Sequence, residues 1–530
     1  MKELNRREFF GLSAAGLVLT GCRPTLHADI LISDVSVIDV ATGQVIDGQD
    51  VLIEGEVIRQ VFSHGDRRVQ ADSIIVGEGR YVMPGLWDMH VHVRSYDPED
   101  ILPMFVAYGV TGIRDLGLTS LSSIKQAQAQ ISEGSMVGPR IISSGVIVEG
   151  AEPRFRSSLS VSSREDIARQ LDPVVEQGVG VIKLFQNVPG EVFQDVVAYA
   201  EEKGLKTAGH IPDEWDQIQA ANSGLGSIEY MWGIKNTLAY EDDRLDPVEV
   251  SRLADALLAQ NTFQTPTLIN FSSKLDRESE EFTNRPGVEY SPAYHRVWWD
   301  VIRAAGLEPE VEESMRAARP FETAVVRELA RLGVKFLAGT DTPNPYLPVG
   351  LSLHEELALL VEAGLSPAEA LRTATLYPAE YFGRTADLGA VARGYLADLV
   401  VLDRNPLEDV RNTTAVYAVV SNGRFFSPAA LAEIRSEQLR RAVNFLPTDL
   451  DQVVYMEIRR NGVDGARLRF PDPLNDSSIV AKAEHLIRLS ESLVRVGERD
   501  EARRVLEWNL ELFPEDENTR IRLAALPDGN

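Results

Sequence analysis

The chain has 530 residues, of which 44% are hydrophobic and 25% are charged, as in ordinary soluble globular proteins. This length exceeds that of one compact domain and predicts two or three. The formal net charge of −27 argues against nucleic acid and anionic membrane surfaces as partners, because both need basic patches on the protein.

The N-terminus has the pattern of a bacterial export signal. Arg6 and Arg7 precede a small apolar run that ends in LTGC at residues 19–22, and this run is too short to span a bilayer. A twin arginine ahead of such a run marks export. Residues 1–22 resemble a Tat-type signal joined to a lipobox, which implies that Cys22 is lipidated and becomes the mature N-terminus. The alternatives are an uncleaved hydrophobic leader and a plain secretory signal.

We therefore expect an exported protein, anchored by lipid on the periplasmic side of a bacterial membrane. Cys22 is the only cysteine in the chain, so a disulfide within the chain is excluded.

The two flanks of the chain body share a β-rich texture. Residues 28–83 alternate apolar and polar side chains, as in DILISDVSVIDV, and short turns separate the runs. The same pattern returns over residues 384–426, and it is typical of antiparallel strands joined by hairpins. Two such pieces around a long middle predict a small composite β-sandwich built from both flanks.

The middle, residues 84–383, alternates short apolar strands with helical stretches. Eight strands with intervening helices predict an α/β fold of the (β/α)₈ TIM-barrel type, whose functional residues gather at the C-terminal ends of the strands. Residues 271–325 are long and irregular, and we expect an inserted excursion near the mouth of the site. In chain order the predicted strands are LWDMHVHV, GVTGIRDLG, PRIISSGVIV, GVGVIKLF, LKTAGH, GSIEY, TFQTPTL and VKFLAGTD.

Residues 427–530 form a predicted helical extension. Apolar positions keep helical spacing over residues 478–513, with a break at Gly497, and this pattern is similar to one tetratricopeptide-type hairpin. A single hairpin cannot bury its own faces, so it should dock on the barrel or on a protein partner. The alternative is an ordinary helical extension.

Five side chains with metal-binding chemistry lie on predicted strands. His90 and His92 end the first strand, and side chains two apart on a strand point the same way. Lys183 lies in the fourth strand, His210 ends the fifth, and Asp341 ends the eighth. Each alone has an ordinary structural explanation, but their joint occurrence at strand ends favours a metal site. Imidazole and carboxylate ligands suit zinc or a similar divalent ion.

Several motifs carry a family resemblance over about residues 30–425. They are MPGLWDMHVH, GVTGIRDLG, GVIKLF, GTDTP and LGAVARGYLADLVVLDRNPLEDV. In these the chain resembles the amidohydrolase superfamily, in particular the imidazolonepropionase-like branch that contains metal-dependent dipeptidases and prolidases. The resemblance implies that His90, His92 and Asp341 bind the more buried metal. It also implies that Lys183 is carboxylated and bridges two metals, and that His210 binds the second.

One position departs from this branch. Its sixth strand usually ends in Ile-Glu-His, whereas residues 228–230 read IEY. Tyr230 is therefore a phenolate ligand, a substrate-binding hydroxyl, or a sign that the second metal is weak or absent. Phenol titrates near ~10 and ligates poorly when neutral. We expect one firmly bound Zn²⁺ and leave occupancy of the second site open.

The predicted ligands suggest a hydrolytic mechanism. Metal-activated water attacks the substrate, Asp341 acts as general base and then acid, and the metal, helped by His210, polarises the scissile carbonyl. Arg114 and Asp115 end the second strand and are expected to face the same mouth. Arg114 could bind a substrate carboxylate, or it could form an internal pair with Asp115.

These observations predict a metal-dependent amidohydrolase that acts on a small molecule, for example a dipeptide or a modified amino acid. One alternative is a hydrolase of a cyclic amide or lactone. Another is a catalytically weak exported lipoprotein that binds ligands, or partners through its C-terminal helices.

Overall fold

The computed structural model describes residues 25–526 except 94–97, 119, 156–157, 242–243, 293–294, 297–298, 300–302, 304–306, 308, 445–449, 477–480 and 496. The predicted signal at residues 1–22, with Cys22, lies outside the described residues. Within the described ranges, no helix is both long and apolar enough to cross a membrane.

The N-terminal flank is a run of strands in which apolar side chains alternate into the interior. The long first strand pairs antiparallel with the second and parallel with the fourth and fifth. The strands are β1 (Leu26–Asp39), β2 (Gln44–Glu54), β3 (Val57–Ser63), β4 (Val69–Val76) and β5 (Tyr81–Pro84).

The middle of the chain contributes short, mostly buried strands. Their near-continuous burial is expected for parallel strands covered by helices. They are β6 (Leu86–Val91), β7 (Val110–Asp115), β8 (Arg140–Ser143), β9 (Ile147–Glu149), β10 (Leu159–Ser160), β11 (Val181–Leu184), β12 (Lys206–Gly209), β13 (Ser227–Glu229) and β16 (Phe263–Thr265). Between the last two, β14 (Tyr240–Glu241) and β15 (Arg244–Leu245) form a separate antiparallel pair.

Helices follow most of these strands and bury one apolar face against them. They are α1 (Leu102–Ala107), α2 (Leu121–Glu133), α3 (Arg164–Glu176), α4 (Gly190–Glu202), α5 (Gln217–Asn222), α6 (Ile234–Thr237), α7 (Pro247–Gln260), α8 (Leu268–Leu275), α9 (Glu280–Thr283), α10 (Pro309–Arg331), α11 (Leu351–Glu362), α12 (Pro367–Thr373) and α13 (Leu376–Phe382). The stretch expected to be irregular, 271–325, thus contains helical segments in its described parts.

Backbone hydrogen bonds join the parallel strands side by side. One sheet has the order β6-β7-β8, and another has the order β10-β9-β11-β12-β13-β16. A bond from Gly180 N to Ser143 O links the two sheets. Residues 335–342 bond to Gln264 of β16 on one side and to His90 of β6 on the other. This arrangement is a TIM-barrel-like α/β fold.

Two predicted strands differ from the structure in detail. The third, PRIISSGVIV, divides into β8 and β9 because Gly145 between them takes a left-handed conformation, with φ of 66°. The eighth, VKFLAGTD, makes isolated bridges at Phe336 and Thr342 instead of a regular ladder. Its backbone bonds still carry Asp341 to the end of β6.

The C-terminal flank returns to the first sheet. Strands β17 (Leu399–Leu402), β18 (Val416–Ser421) and β19 (Arg424–Phe426) extend it, because β17 pairs antiparallel with β5. Both flanks therefore build one eight-stranded sheet. That it packs as a sandwich stays a prediction.

The chain continues as helices. Helix α14 (Pro428–Asn444) packs on the body of the fold, where Leu431 contacts a cluster with Val106 and Val419. Among the remaining helices, the first three share a separate buried cluster whose members lie within residues 450–526, and the last is joined to the third by a hydrogen bond from Asn509 Nδ2 to Thr519 Oγ1. The remaining helices are α15 (Leu450–Arg469), α16 (Ala483–Arg495), α17 (Arg499–Leu512) and α18 (Glu517–Ala525).

Candidate metal centre

His90 and His92 are both held at their Nδ1 atoms. His90 lies in β6 and donates from Nδ1 to Glu229 Oε2 at 2.6 Å. His92 lies just beyond β6 and donates from Nδ1 to the carbonyl of Gly117 at 3.0 Å. Because each Nδ1 carries the proton, each Nε2 presents a lone pair. Such partners of Nδ1 are typical of metal-bound histidines.

Asp341 faces these lone pairs. Its Oδ1 lies 3.2 Å from His92 Nε2 and 3.8 Å from His90 Nε2. Its Oδ2 accepts hydrogen bonds from Tyr230 Oη at 2.7 Å and from Asn270 Nδ2 at 2.9 Å. The backbone holds it there, since Asp341 N donates to the carbonyl of His90 at 2.7 Å.

The three side chains form a compact buried group, which is called the metal-binding group below. One ligand atom from each of His90, His92 and Asp341 lies within 4.8 Å of the others. A histidine lone pair and a carboxylate oxygen repel each other at 3.2 Å unless a cation or a proton lies between them. Two imidazole nitrogens and one carboxylate form a ligand set of catalytic zinc. The residues present therefore fit a divalent metal ion.

The protonation states agree with this fit. Burial, reinforced by the charge of nearby Lys183 and opposed by Glu229, lowers the pKa of His90 to about 4. Burial alone would raise the pKa of Asp341, but its contacts with His92 and His90 bring it below the usual range for an aspartate. A neutral imidazole and an ionised carboxylate are the forms that bind metal.

Lys183 and His210 lie on neighbouring strand ends of the same cavity. Lys183 is buried on β11, and its Nζ has no hydrogen-bond partner among the described residues. Burial lowers the pKa of its amine to about 8, an effect that Glu229 opposes and Arg114 reinforces. His210 follows β12 and does not belong to the compact group.

The His210 ring is clamped between two aromatic side chains. Trp232 stacks on it with centroids 4.6 Å apart and an interplanar angle of 9°, and Phe185 contacts it at 4.5 Å. Its Nδ1 donates to Gln186 Oε1 at 2.5 Å. The Nε2 atom then presents a lone pair and carries no proton. His210 is therefore better suited to bind a metal ion than to polarise a substrate carbonyl by donating a hydrogen bond to it.

Tyr230 joins the compact group from the end of β13. Its hydroxyl lies 3.0 Å from His90 Nε2 and donates to Asp341 Oδ2. Its backbone takes a left-handed conformation, with φ of 58°, which turns the side chain inward. The structure thus places the Tyr230 hydroxyl against His90 and Asp341. The three sequence-based interpretations of Tyr230 stay predictions.

Arg114 requires a correction. It is fully buried, and its guanidinium donates to Glu229 Oε1 at 2.7 Å and to Ser227 Oγ at 2.8 Å. It therefore lies behind the metal-binding group and not in the mouth, where the sequence analysis put it. An internal ion pair is present, but its partner is Glu229. Asp115 instead accepts hydrogen bonds from Val93 N and Ser143 Oγ.

Sequence reasoning missed three supporting residues. Glu229 accepts a hydrogen bond from His90 Nδ1, and Asn270 Nδ2 donates one to Asp341 Oδ2. Asp88 accepts from Thr340 Oγ1 at 2.6 Å and so ties β6 to the segment that carries Asp341. The available signal was position: Asp88 and Glu229 each lie one or two residues before a predicted site residue on a strand.

A cavity of about 780 Å³ opens over the group. It is lined by His92, Lys183, His210, Tyr230 and Asp341, so the predicted ligands other than His90 reach its wall. This size suits a small-molecule substrate.

Comparison with known proteins identifies the class. The Amidohydrolase family model matches residues 81–426, and the chain belongs to that family. Its class is thus the predicted one, hydrolases that act on C–N bonds. Enzymes of this family are typically metal-dependent, in agreement with the group of two histidines and an aspartate.

Individual relatives are distant. An adenine deaminase from Rubrobacter xylanophilus is 23% identical over 437 residues, which cover 80% of this chain but only 62% of the deaminase. A dihydroorotase from Pelotomaculum thermopropionicum is 22% identical, over 72% of this chain and 90% of its own length.

Two solved structures are similar in fold. A bottromycin amidohydrolase is 27% identical with a TM-score of 0.63, covering 78% of this chain and 90% of its own. A Xaa-Pro dipeptidase with bound methionine is 20% identical with a TM-score of 0.59, covering 75% of this chain and 99% of its own.

Proposed function

We propose that this protein hydrolyses an amide bond in a dipeptide or a modified amino acid with the help of a zinc ion. The observation that carries the proposal is the convergence of His90, His92 and Asp341 beside a cavity of small-molecule size. An amidohydrolase and a Xaa-Pro dipeptidase among the similar structures support the choice of an amide.

The chain's own residues hold the ion and handle the proton. His90, His92 and Asp341 would bind zinc, which supplies Lewis acidity and lowers the pKa of water toward about 7. Hydrolysis forms a bond from the water oxygen to the carbonyl carbon and breaks the C–N bond. The ionised Asp341 accepts the water proton and returns it to the departing amine. Tyr230 and Asn270 hold its carboxylate in place.

Lys183 and His210 are proposed ligands of a second ion. A buried Nζ with no hydrogen-bond partner among the described residues and with a lowered pKa supports carboxylation of Lys183, because the neutral amine is the form that reacts with carbon dioxide. Mass spectrometry under native conditions should detect the added 44 Da (roughly one CO₂). We further propose a single firmly held zinc, since Tyr230 stands where the family usually has a histidine.

We also propose that the protein is exported and lipid-anchored through Cys22. The twin arginine and the LTGC sequence support this. In a bacterial host, Cys22→Ala should move the protein from the membrane fraction to the soluble fraction. We further propose that the C-terminal helices contact a protein partner.

The reaction is tested by turnover of a library of dipeptides and N-acyl amino acids with the zinc-loaded protein. We expect release of free amine by the wild type and none by Asp341→Asn. A zinc-loaded protein that opens only cyclic amides or lactones would contradict the amide proposal. A protein that neither binds zinc nor turns over any substrate would be a binding protein instead.

A further inference from the structure

The outer wall of the cavity is rich in cations. Among the described residues, the charged side chains that line it away from the metal-binding group are Arg154, Lys235 and Lys274, against two acids, Asp213 and Glu322. In the chain as a whole acids dominate, with 80 Asp and Glu against 53 Lys and Arg. The cavity wall therefore reverses the charge balance of the molecule.

Two of these cations lie on adjacent elements. Lys235 is in α6, which follows β13, and Lys274 is in α8, which follows β16, the next strand of the sheet. Both amines are solvent-exposed, and within the described part of the chain neither forms an ion pair with a carboxylate. They thus have full charge available for a ligand.

Glu322 of α10 lies near both lysines but does not neutralise them. Burial raises the pKa of Glu322 to about 7, and the charges of Lys235 and Lys274 only partly oppose this. The three cationic side chains of the described wall therefore face at most two negative charges, Asp213 and a Glu322 whose pKa is raised, so the wall keeps a net positive charge that suits a single anionic group.

Apolar surface connects this wall to the metal-binding group. Phe271 lines the cavity from α8, and Trp232, just before α6, lines it while stacking on His210. A ligand with its amide at the metal-binding group can therefore place an apolar portion on these rings and extend toward the lysines.

We propose that Lys235 and Lys274 form a subsite for a substrate carboxylate, so that the amide cleaved here belongs to a molecule with one carboxylate beyond an apolar portion. This rests on the proposed function, which makes the cavity a substrate site. A monocarboxylate is favoured over a phosphate because the wall offers about one net positive charge.

The subsite is tested by binding, separately from hydrolysis. 4-(Acetamidomethyl)benzoate, which carries its carboxylate beyond an aromatic ring from the amide, and its neutral methylamide are titrated calorimetrically into the zinc-loaded wild type and into the double variant Lys235→Met/Lys274→Met. We expect the wild type to bind the carboxylate about tenfold more tightly than the variant does, as two partly exposed charge pairs can supply. The methylamide should bind both proteins equally, and added salt should shrink the difference.

A matched control removes the same charge elsewhere. Lys125 and Lys203 are exposed and do not line the cavity, so Lys125→Met/Lys203→Met should bind both compounds as the wild type does. Equal binding of the two compounds by the wild type, or unchanged discrimination in the cavity variant, would overturn the subsite. Retained discrimination without acetate release would leave the subsite standing and refute only hydrolysis of this amide.

Discussion

At the scale of single residues, Glu229 connects the metal-binding group to the interior of the barrel. Its carboxylate accepts hydrogen bonds from His90, Arg114, Ser227 and Thr265. Burial alone would raise its pKa, but Arg114 and His90 bring the pKa below the usual range for a glutamate. A permanently charged acceptor fixes the tautomer of His90 and aims its Nε2 at Asp341.

Glu229→Gln should therefore weaken zinc binding. The amide offers one weaker acceptor and no charge, and loss of such a partner of a ligating histidine typically costs about 10- to 100-fold in metal affinity. Competition with a chelator measures the dissociation constant. Glu149→Gln is the control, since Glu149 is equally buried but accepts from the backbone N–H groups of Arg154 and Phe155. Equal zinc affinity in the two variants would refute the role of Glu229.

Tyr230→His should raise the number of metal ions per chain from one toward two. The hydroxyl that now contacts His90 and Asp341 is replaced by an imidazole that can ligate a second ion with His210 and Lys183. Plasma mass spectrometry gives the stoichiometry. Tyr230→Phe, which removes the hydroxyl without adding a ligand, should stay at one. If the histidine variant also stays at one, Tyr230 is not the reason for a single site.

The convergence of two histidines and an aspartate could be predicted from sequence because residue type and strand position agree. His90 and His92 are two apart at a strand end, and Asp341 ends an apolar segment. Glu229 could not be predicted in the same way, because two of its partners, His90 and Arg114, precede it by 139 and 115 residues. The direction of Arg114 was wrong for the same reason: the partner that turns it inward, Glu229, comes 115 residues later.

At the scale of elements, helix α11 supports the site through Glu356. This buried carboxyl accepts hydrogen bonds from the backbone N–H groups of Leu268 and Ile269, at 3.1 and 2.8 Å, in the first turn of α8. The same turn carries Asn270, which donates to Asp341. Burial raises the pKa of Glu356 to about 8, although the two backbone hydrogen bonds lower it.

The contribution of Glu356 to the stability of the fold should consequently fall as pH rises from about 5 to 8. The pKa of Glu356 is 4.5 in its ordinary state and about 8 here, so the folded chain binds more protons than the unfolded chain in this interval. The stabilising contribution of Glu356 is then fully present below pH 4.5 and is lost as pH rises through 8. Denaturant unfolding at pH 5 and pH 8, both with zinc present, gives the change in free energy.

Glu356→Gln isolates this contribution. The variant should be less stable at pH 5, because its amide can accept only one of the two backbone hydrogen bonds. The change in its free energy of unfolding between pH 5 and pH 8 should be smaller than that of the wild type by at least about 1 kcal/mol. A pH dependence identical to that of the wild type would show that Glu356 is ionised in the folded chain throughout the interval.

The elements were predictable where periodicity is strong and less so where the backbone turns. The strands that carry His90, Lys183 and His210 match their apolar runs. The third predicted strand was read through Gly145, where a left-handed turn separates β8 from β9. Residues 271–325 lack a clear period, so the helices found there were not predicted.

At the scale of the whole molecule, the C-terminal helices have a core of their own. Helices α15 to α17 bury a cluster whose members lie within residues 450–526, and ion pairs such as Arg459–Glu498 and Arg522–Glu491 lie within this segment. Helix α14 differs, since it packs on the body of the fold through Leu431.

A chain ended after Asn444 should therefore keep the enzyme body intact. It retains α14 and loses only the helices with the separate cluster, so we expect an unchanged zinc content and an unfolding temperature within a few degrees of the full chain (roughly the effect of 1 kcal/mol). Loss of zinc or of soluble protein on truncation would mean that the C-terminal helices are part of the body's core.

The metal content of the purified protein, measured by elemental analysis, shows whether residues distant in sequence jointly hold a metal ion. We predict about one zinc per wild-type chain and none in His90→Ala. His354→Ala is the matched control, because His354 is also buried but bonds Tyr108 and Thr413 away from the cavity, and it should keep the zinc. Two results would show that His90, His92 and Asp341 do not hold a metal ion. One is a metal-free wild type that takes up no zinc when zinc is added, and the other is full retention of zinc by His90→Ala.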